Sequence, residues 1–333
     1  MLDADVEVDR RDFTVRAAVR AADGERIALF GPSGAGKTTV LEAIAGLVPI
    51  RRGRIELAGR VLTSPAAAVP PWRRRVGLLR QDPGLFPHLS VRANLAYARS
   101  ARAGELSGLA ETLGIAGLLD AMPAKLSGGQ QHRVALGRLL LAHCDALLLD
   151  EPFASLDAAL RRTLTSLVRS LSSQRSVPSV LVTHDLADAQ AFADRLAVLD
   201  RGSILQEGPP DEVVLRPASR RVASLVGYLG FVPVSGGIIA GVHPDRVIPG
   251  ADPSRGLVVP GTVTAARPSG ASWEADLRAE AADAAFTCRL PSRPSGAELS
   301  VTVLDPPYFG PDGAAIPAPV PAAPDGTPAE KAV

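Results

Sequence analysis

A chain of 333 residues with 46% apolar content is long enough for one large or two moderate domains with full cores. Its formal net charge of +1 offers no broad field for nucleic acid or a membrane surface, so no nucleic-acid partner is expected. Two cysteines, Cys144 and Cys288, stand far apart without partnering histidines and read as buried free thiols, which fits a cytosolic setting.

The first stretch, MLDADVEVDRRDF, is acidic and lacks an apolar centre, so no signal peptide is expected. No run of about 18 apolar residues follows. The richest segment, VALGRLLLAHCDALLLD, is broken by Arg138, His143 and Asp145, and the chain is not expected to span a membrane by itself.

Residues 1 to about 225 read as α/β. ERIALF, Glu25 to Phe30, is a short apolar run of the kind that forms a buried strand. GPSGAGKTT follows, and its Gly31, Gly36, Lys37 and Thr38 fit the phosphate-loop pattern G-x-x-x-x-G-K-[ST]. Val40, Leu41, Ile44 and Leu47 then recur at helical spacing. The loop residues Gly31, Pro32, Ser33, Gly34, Ala35, Gly36, Lys37, Thr38 and Thr39 are therefore expected to cradle a nucleoside triphosphate. Glycines let backbone N–H groups approach phosphate oxygens, and the helix N-terminus favours negative charge. Lys37 can reach the β- and γ-phosphates, and the Thr38 hydroxyl can ligate Mg²⁺. A glycine-rich turn that merely starts a helix is the plain alternative; the Lys-Thr pair and both flanking elements speak against it.

GRIELAGRVL, Gly53 to Leu62, reads as a hairpin around Ala58-Gly59 in a small antiparallel lobe. Leu126 to Gln130, LSGGQ, precedes the amphipathic QHRVALGRLL, so a serine and two glycines start a second helix and form another anion site. ALLLD ends in Asp150 and is followed by Glu151. Adjacent carboxylates at the end of an apolar strand are costly unless they face a metal and a reaction centre. Asp150 can hold Mg²⁺ through water, and Glu151 can polarise an attacking water; a helix cap is the plain alternative. Strand-like runs recur at SVLVTH, ending in His184, and at RLAVLD, as in a sheet covered on both faces.

From about 226 the period becomes two. Trp273, Ala275 and Leu277 alternate with polar residues, as do Phe286, Cys288 and Leu290, then Leu299, Val301 and Val303. Short strands with Gly/Pro punctuation over 226–310 indicate a small all-β barrel whose apolar stripes are core. Residues 311–333 are Pro/Ala-rich and are expected to be a disordered tail.

The pairing of one lysine-bearing phosphate loop with LSGGQ resembles the ATP-binding-cassette (ABC) ATPases over roughly residues 5 to 225. The resemblance implies a P-loop NTPase cassette with an antiparallel β lobe and a helical lobe. It implies ATP and Mg²⁺, and a head-to-tail dimer with a second copy of the chain. In such a dimer Ser127, Gly128, Gly129 and Gln130 contact the γ-phosphate held by the partner's phosphate loop. By the same resemblance Gln81 is the glutamine that touches Mg²⁺ and the water, Asp157 in ASLD belongs to the dimer-facing loop, and His184 contacts the γ-phosphate. The family places an aromatic residue upstream to stack on adenine. Val8 stands at about that spacing, while Phe13 lies closer to the phosphate loop and reads as a strand residue packed inward.

Arg73 to Ala98 resembles the coupling region of prokaryotic import cassettes, with Leu85, Phe86, Pro87 and Leu89 near a groove that receives a permease helix; internal packing is the alternative for each. GVHPDRV, PGTVTAARPSGASWEADLR and ELSVTVLDPPYFG resemble a TOBE-type regulatory domain. Within the family the chain is most similar to the ATPase subunits of molybdate (or tungstate) importers. That implies two permease subunits, an extracytoplasmic substrate-binding protein, and a peripheral place on the cytoplasmic face of the membrane. Related cassettes serve sulfate, sugars, polyamines, phosphonates and ferric iron. Other readings are an oxyanion-sensing regulator with donors such as Ser269, Gly270 and Ser272, a non-transport cassette, and an exporter cassette.

Overall fold

The computed structural model describes residues 1–97, 103–154, 156–280 and 284–319. Ala98, at the end of the coupling segment, Ser155 in ASLD and residues 320–333 of the expected tail lie outside the described residues. The chain divides into two compact units between Val213 and Val214.

The first unit is built on one eleven-stranded sheet. Its strands in chain order are β1 (Leu2–Asp9), β2 (Thr14–Ala21), β3 (Arg26–Phe30), β4 (Arg52–Leu57), β5 (Arg60–Ser64), β6 (Ala67–Ala68), β7 (Val76–Leu79), β8 (Ala146–Asp150), β9 (Ser179–Thr183), β10 (Arg195–Asp200) and β11 (Ser203–Gly208). They lie side by side as β6-β5-β4-β1-β2-β11-β10-β3-β9-β8-β7. The neighbours β10-β3-β9-β8-β7 are all parallel. Every residue of β8 and β9 is buried, which is why both read as unbroken apolar runs. The strands β1, β2, β4 and β5 pair antiparallel instead, and β1, β2 and β4 alternate in burial. Leu57 pairs with Arg60, so the turn falls on Ala58-Gly59, both at positive φ, as the hairpin pattern requires.

Helices α1 (Lys37–Ala45), α2 (Val91–Ala96), α3 (Ala103–Thr112), α4 (Gly128–Leu141), α5 (Ala158–Gln174) and α6 (Leu186–Phe192) complete this unit before the short α7 (Pro210–Leu215). The C-terminal end of α1 is tied down by Arg74, only 3% exposed, whose guanidinium donates to the carbonyls of Ala43 and Ile44 and to Thr63 Oγ1. A cation at a helix C-terminus is favourable, and here it fixes the far end of the helix that the phosphate loop begins. No helix among the described residues is long and apolar enough to cross a membrane.

The second unit starts earlier than the sequence pattern suggests. The helix α8 (Arg220–Leu225) looks like a continuation of the cassette, yet Arg220 N–H donates to Gly313 O and Ala315 N–H to Ala218 O, which places it with the β unit. The strands are β12 (Phe231–Pro233), β13 (Ile239–Gly241), β14 (Val247–Pro249), β15 (Gly256–Ser269), β16 (Ser272–Ala279), β17 (Ala285–Leu290), β18 (Glu298–Leu304), β19 (Tyr308–Phe309) and β20 (Ala315–Ile316). They form two sheets, β12-β13-β19-β20 and β14-β18-β15-β16-β17, with one bridge between Gly230 and Phe286. The all-β expectation takes this form. Ala275 faces Cys288 and Leu277 faces Phe286 across β16 and β17, and the four sit in one core with Val301 and Val303. The tail boundary at 311 is corrected, because Tyr308 pairs with Ile316 and Phe309 with Ala315.

Candidate functional site

The three chemistry-bearing segments follow three neighbouring parallel strands. The phosphate loop follows β3, His184 follows β9, and Asp150-Glu151 closes β8, with β9 between the other two. Loops leaving the carboxyl ends of parallel strands form a crevice, the usual ligand position in such sheets.

The phosphate loop has the shape of an anion cradle. A Cβ on Gly31 would lie 2.0 Å from Leu199 O, so only glycine lets the chain pass this neighbouring strand. Gly36 caps α1 at φ 105, with no side chain satisfying the first-turn N–H groups, and these stay open to an anion. Gly34 has open space where its side chain would be. Lys37 is 6% exposed and donates from Nζ to Gly31 O at 2.8 Å and Pro32 O at 2.9 Å, which folds its stem along the loop. Burial pulls its pKa down, and Glu151 and Asp150 push it back up.

Thr38 Oγ1 donates to Asp150, 3.0 and 3.2 Å from the two carboxylate oxygens. Burial raises the Asp150 pKa and the neighbouring Glu151 adds to this, while the Thr38 hydrogen bond and Lys37 oppose it. A buried carboxylate lacking a full positive complement suits a cation. The hydroxyl, carboxylate and amide oxygens of Thr38, Asp150 and Gln81 are the hard donors that Mg²⁺ takes. Glu151 adopts φ 49, a left-handed conformation that costs a non-glycine residue roughly 1–3 kcal/mol. Its carboxylate Oε1 lies 2.8 Å from His184 Nδ1, which leaves the end of the neighbouring strand β9.

A cleft of about 600 Å³ lies against this cradle. Ser33, Gly34, Gly36, Lys37, Thr38 and Thr39 line it together with Gln81 and Glu151. Its remaining wall is the β1–β2 turn, Arg10 to Phe13, to which sequence reasoning assigned no site role. Val8 is 3% exposed within β1 and belongs to the core, so it offers the cleft nothing. The inward-packing expectation for Phe13 is corrected in part. The ring is half-buried against the core, but it precedes β2 and also lines the cleft. Four polar or aromatic residues on a short turn between alternating strands were the available signal.

Ser127 to Gln130 and Asp157 do not line this cleft. Ser127 caps α4 in a reciprocal capping box, accepting from Gln130 N–H while the Gln130 side chain accepts from Ser127 N–H. Asp157 caps α5, accepting from Ala159 and Leu160 N–H at 3.0 Å each, and these bonds hold its carboxyl below the usual range. Around the coupling segment, Asn94 is fully buried and bonds both the N–H and the carbonyl of Phe86, and Arg138 lies over the Phe86 ring at 5.1 Å. Leu85, Phe86 and Leu89 are half-buried and Pro87 is exposed. In the second unit Ser269, Gly270 and Ser272 form the β15–β16 turn, with Ser272 Oγ donating to Ser269 O, and not a dry oxyanion pocket.

A family model for the ABC transporter matches residues 16–154. The chain is 42% identical over 221 residues to a molybdenum import ATP-binding protein of Mesorhizobium japonicum, covering 63% of this chain and 60% of that one. A sn-glycerol-3-phosphate import ATP-binding protein of Rhizobium johnstonii is 35% identical over 301 residues, covering 83% of this chain and 85% of its own length. The chain belongs to the ABC transporter family. A solved ATP-binding cassette, a dimer in a post-hydrolysis state bound to ADP and Pi, shares the cassette fold with a TM-score of 0.54 and 24% identity, covering 63% of this chain and 99% of that one. The chain spans about three fifths of the length of the first curated relatives that it matches. An Fe(3+) ions import ATP-binding protein of Mesorhizobium japonicum is 41% identical over 219 residues, and a spermidine/putrescine import ATP-binding protein of Pseudomonas fluorescens is 38% identical over 237 residues.

Proposed function

We propose that this ABC cassette is the ATP-hydrolysing subunit of a prokaryotic importer. It would act as a head-to-tail dimer on two permease subunits at the cytoplasmic face of the membrane, served by an extracytoplasmic substrate-binding protein. The observation that carries the reading is the convergence of Lys37, Thr38, Asp150, Glu151 and His184 from three adjacent parallel strands, while Ser127–Gln130 stays outside the cleft of its own chain.

Each residue has a task in ATP cleavage. The phosphate-loop N–H groups and Lys37 hold the phosphates and spread their charge. Thr38, Asp150 and Gln81 would hold Mg²⁺, which when bound neutralises charge on the β- and γ-phosphate oxygens. His184 orients the Glu151 carboxylate, whose other oxygen takes the proton of the attacking water. The N–H groups of Gly128 and Gly129 at the start of the fourteen-residue α4, with the Ser127 and Gln130 side chains, would close over the γ-phosphate held by the partner copy. Asp157 would stand at the same dimer face. Hydrolysis then reopens the dimer, and that motion drives the permease.

The cargo is proposed to be molybdate (or tungstate), supported by the sequence resemblance and by the Mesorhizobium relative's name. A second reading, sn-glycerol-3-phosphate, has its own support, since the relative that covers 83% of the chain carries that name. The second unit is proposed to be a TOBE-type regulatory domain. The test is uptake of labelled molybdate and labelled glycerol-3-phosphate by cells lacking the gene, complemented with the wild type or with Glu151→Gln. Molybdate uptake restored by the wild type alone, and resistant to excess sulfate, is the expected result. Restoration of glycerol-3-phosphate uptake alone favours the second reading. Restoration of neither removes both cargoes and turns the search to ferric iron, polyamine, sulfate and sugar.

A further inference from the structure

The helix that the phosphate loop begins carries one carboxylate. Glu42 stands in the second turn of α1, three residues after Thr39 and so on the same face. A negative charge there repels phosphates held at the helix start, and it is felt at Asp150, whose pKa it helps to raise. Two arginines answer it, one on each oxygen. Arg10 Nη2 donates to Oε2 at 2.9 Å and Arg80 Nη2 to Oε1 at 3.4 Å, while the Glu42 side chain is only 18% exposed. The two cations come from different parts of the cleft. Arg10 opens the β1–β2 turn, which its own N–H closes on Phe13 O at 2.9 Å and its Nε ties to Thr39 Oγ1 at 2.8 Å. Arg80 is the residue before Gln81, which lines the cleft from the other segment. Like charges do not attract, so what joins the turn to the Gln81 segment here is the carboxylate between them.

We propose that Glu42 is a positioning residue that couples the β1–β2 turn to the Gln81 segment, so that a nucleotide seated against the turn steadies Gln81 through Arg10, Glu42 and Arg80. The inference rests on reading the cleft as a nucleotide site. Nucleotide packed against the turn restrains Arg10, and Arg10 in turn restrains the carboxylate that it holds. Arg80 then docks on a partner that is already ordered, and less conformational entropy is lost in forming the second pair. The route runs through protein groups alone and needs no metal. The Arg80 side chain is 56% exposed, so its pair with Glu42 is a modest one that neighbouring order can tip.

The experiment is amide hydrogen exchange on the full chain and its Glu42→Gln and Arg80→Met variants, with EDTA present to remove metal. Each is measured free, with saturating ADP, and with saturating pyrophosphate, which has no nucleoside to touch the turn. In the wild type ADP is expected to protect the phosphate loop and to slow exchange over residues 80–86 by about 2- to 5-fold, the size an ion pair of this exposure supports. Pyrophosphate is expected to protect the phosphate loop alone. Both variants should keep the phosphate-loop protection by ADP and lose the effect at 80–86. Protection at 80–86 that persists in the variants, or that pyrophosphate also produces, overturns the proposal. So does a Glu42→Gln chain in which 80–86 exchanges faster by the same factor with and without ADP, because that is the mark of a merely structural contact. A wild-type phosphate loop that neither ligand protects overturns the nucleotide reading itself, which separates that failure from failure of the Glu42 role.

Discussion

The two units of this chain bury polarity in opposite ways. The cassette unit buries Lys37, Arg74, Asp150, Asp188 and Asp200, whereas among the described residues of the β unit the buried hydroxyl side chains are the uncharged Thr302 and Tyr228. Thr302 serves structure, donating to Gly250 O and accepting from Asp252 N–H. The concavities differ in the same sense. The cassette cleft is walled by glycines, hydroxyls and cations. A cavity of about 730 Å³ in the β unit mixes Val234, Pro253, Leu257 and Pro306 with Arg255 and Asp305, and among the described residues has no glycine-rich loop opening a helix. Buried charge costs several kcal/mol per ion unless it is compensated. Part of it is compensated within the cassette unit, Arg74 by the carbonyls of Ala43 and Ile44 and Asp188 by Arg161, while Lys37 and Asp150 stand at the cleft.

Four substitutions would break or sharpen this contrast. Glu151→Gln should lower ATP turnover by at least about 100-fold while nucleotide still binds, since a positioned general base contributes 10²–10⁴-fold; turnover within twofold of wild type would remove Glu151 from the chemistry. Phe286→Ala, at a side chain 2% exposed, should destabilise the β unit by about 3–5 kcal/mol in a denaturant melt. ATP turnover should survive that change, and its loss would show that the two units are energetically coupled. Lys37→Ala should weaken ATP binding by about 1.5–3 kcal/mol, the range for a hydrogen bond to a charged group, read by calorimetry.

The smallest effect is expected at Tyr228, whose hydroxyl donates to Val214 O at 3.1 Å and whose pKa burial pushes up to about 12. The folded pKa lies above the unfolded value of 10.0. The phenol's contribution is therefore fully present below pH 10 and is lost as pH rises through 12. Tyr228→Phe should flatten that alkaline fall and cost about 1 kcal/mol at neutral pH. An unchanged alkaline stability profile would locate the fall elsewhere.

Much of this was legible along the chain. The phosphate loop is a local motif, and its flanking strand and helix carry their own periodicities, so β3 and α1 appear where ERIALF and TTVLEAIA stand. The alternation at Ala275, Leu277, Phe286 and Cys288 likewise forecast which faces meet in the β unit. The Arg10–Phe13 turn was missed as a wall of the cleft because turn residues carry no period, and nothing local says what faces them. The boundary near 225 rests on the period of two and the Gly/Pro punctuation that begin at about 226, while the hydrogen bonds of α8 run to residues near 313. The tail was begun at 311 because prolines and alanines carry no strand pattern, yet Ala315 and Ile316 find partners in β19.

By itself the sequence determined the elements, the phosphate cradle and the residue types of the site, because hydrogen-bonding geometry and hydrophobic periodicity act over a few neighbouring residues. Only the tertiary structure decided that Glu151 at the end of β8 meets His184 at the end of β9, that Arg10 holds Thr39 and Glu42, and that the turn from Arg10 to Phe13 walls the cleft. Those contacts follow from strand order and register, which the whole sheet sets by packing residues far apart in the chain.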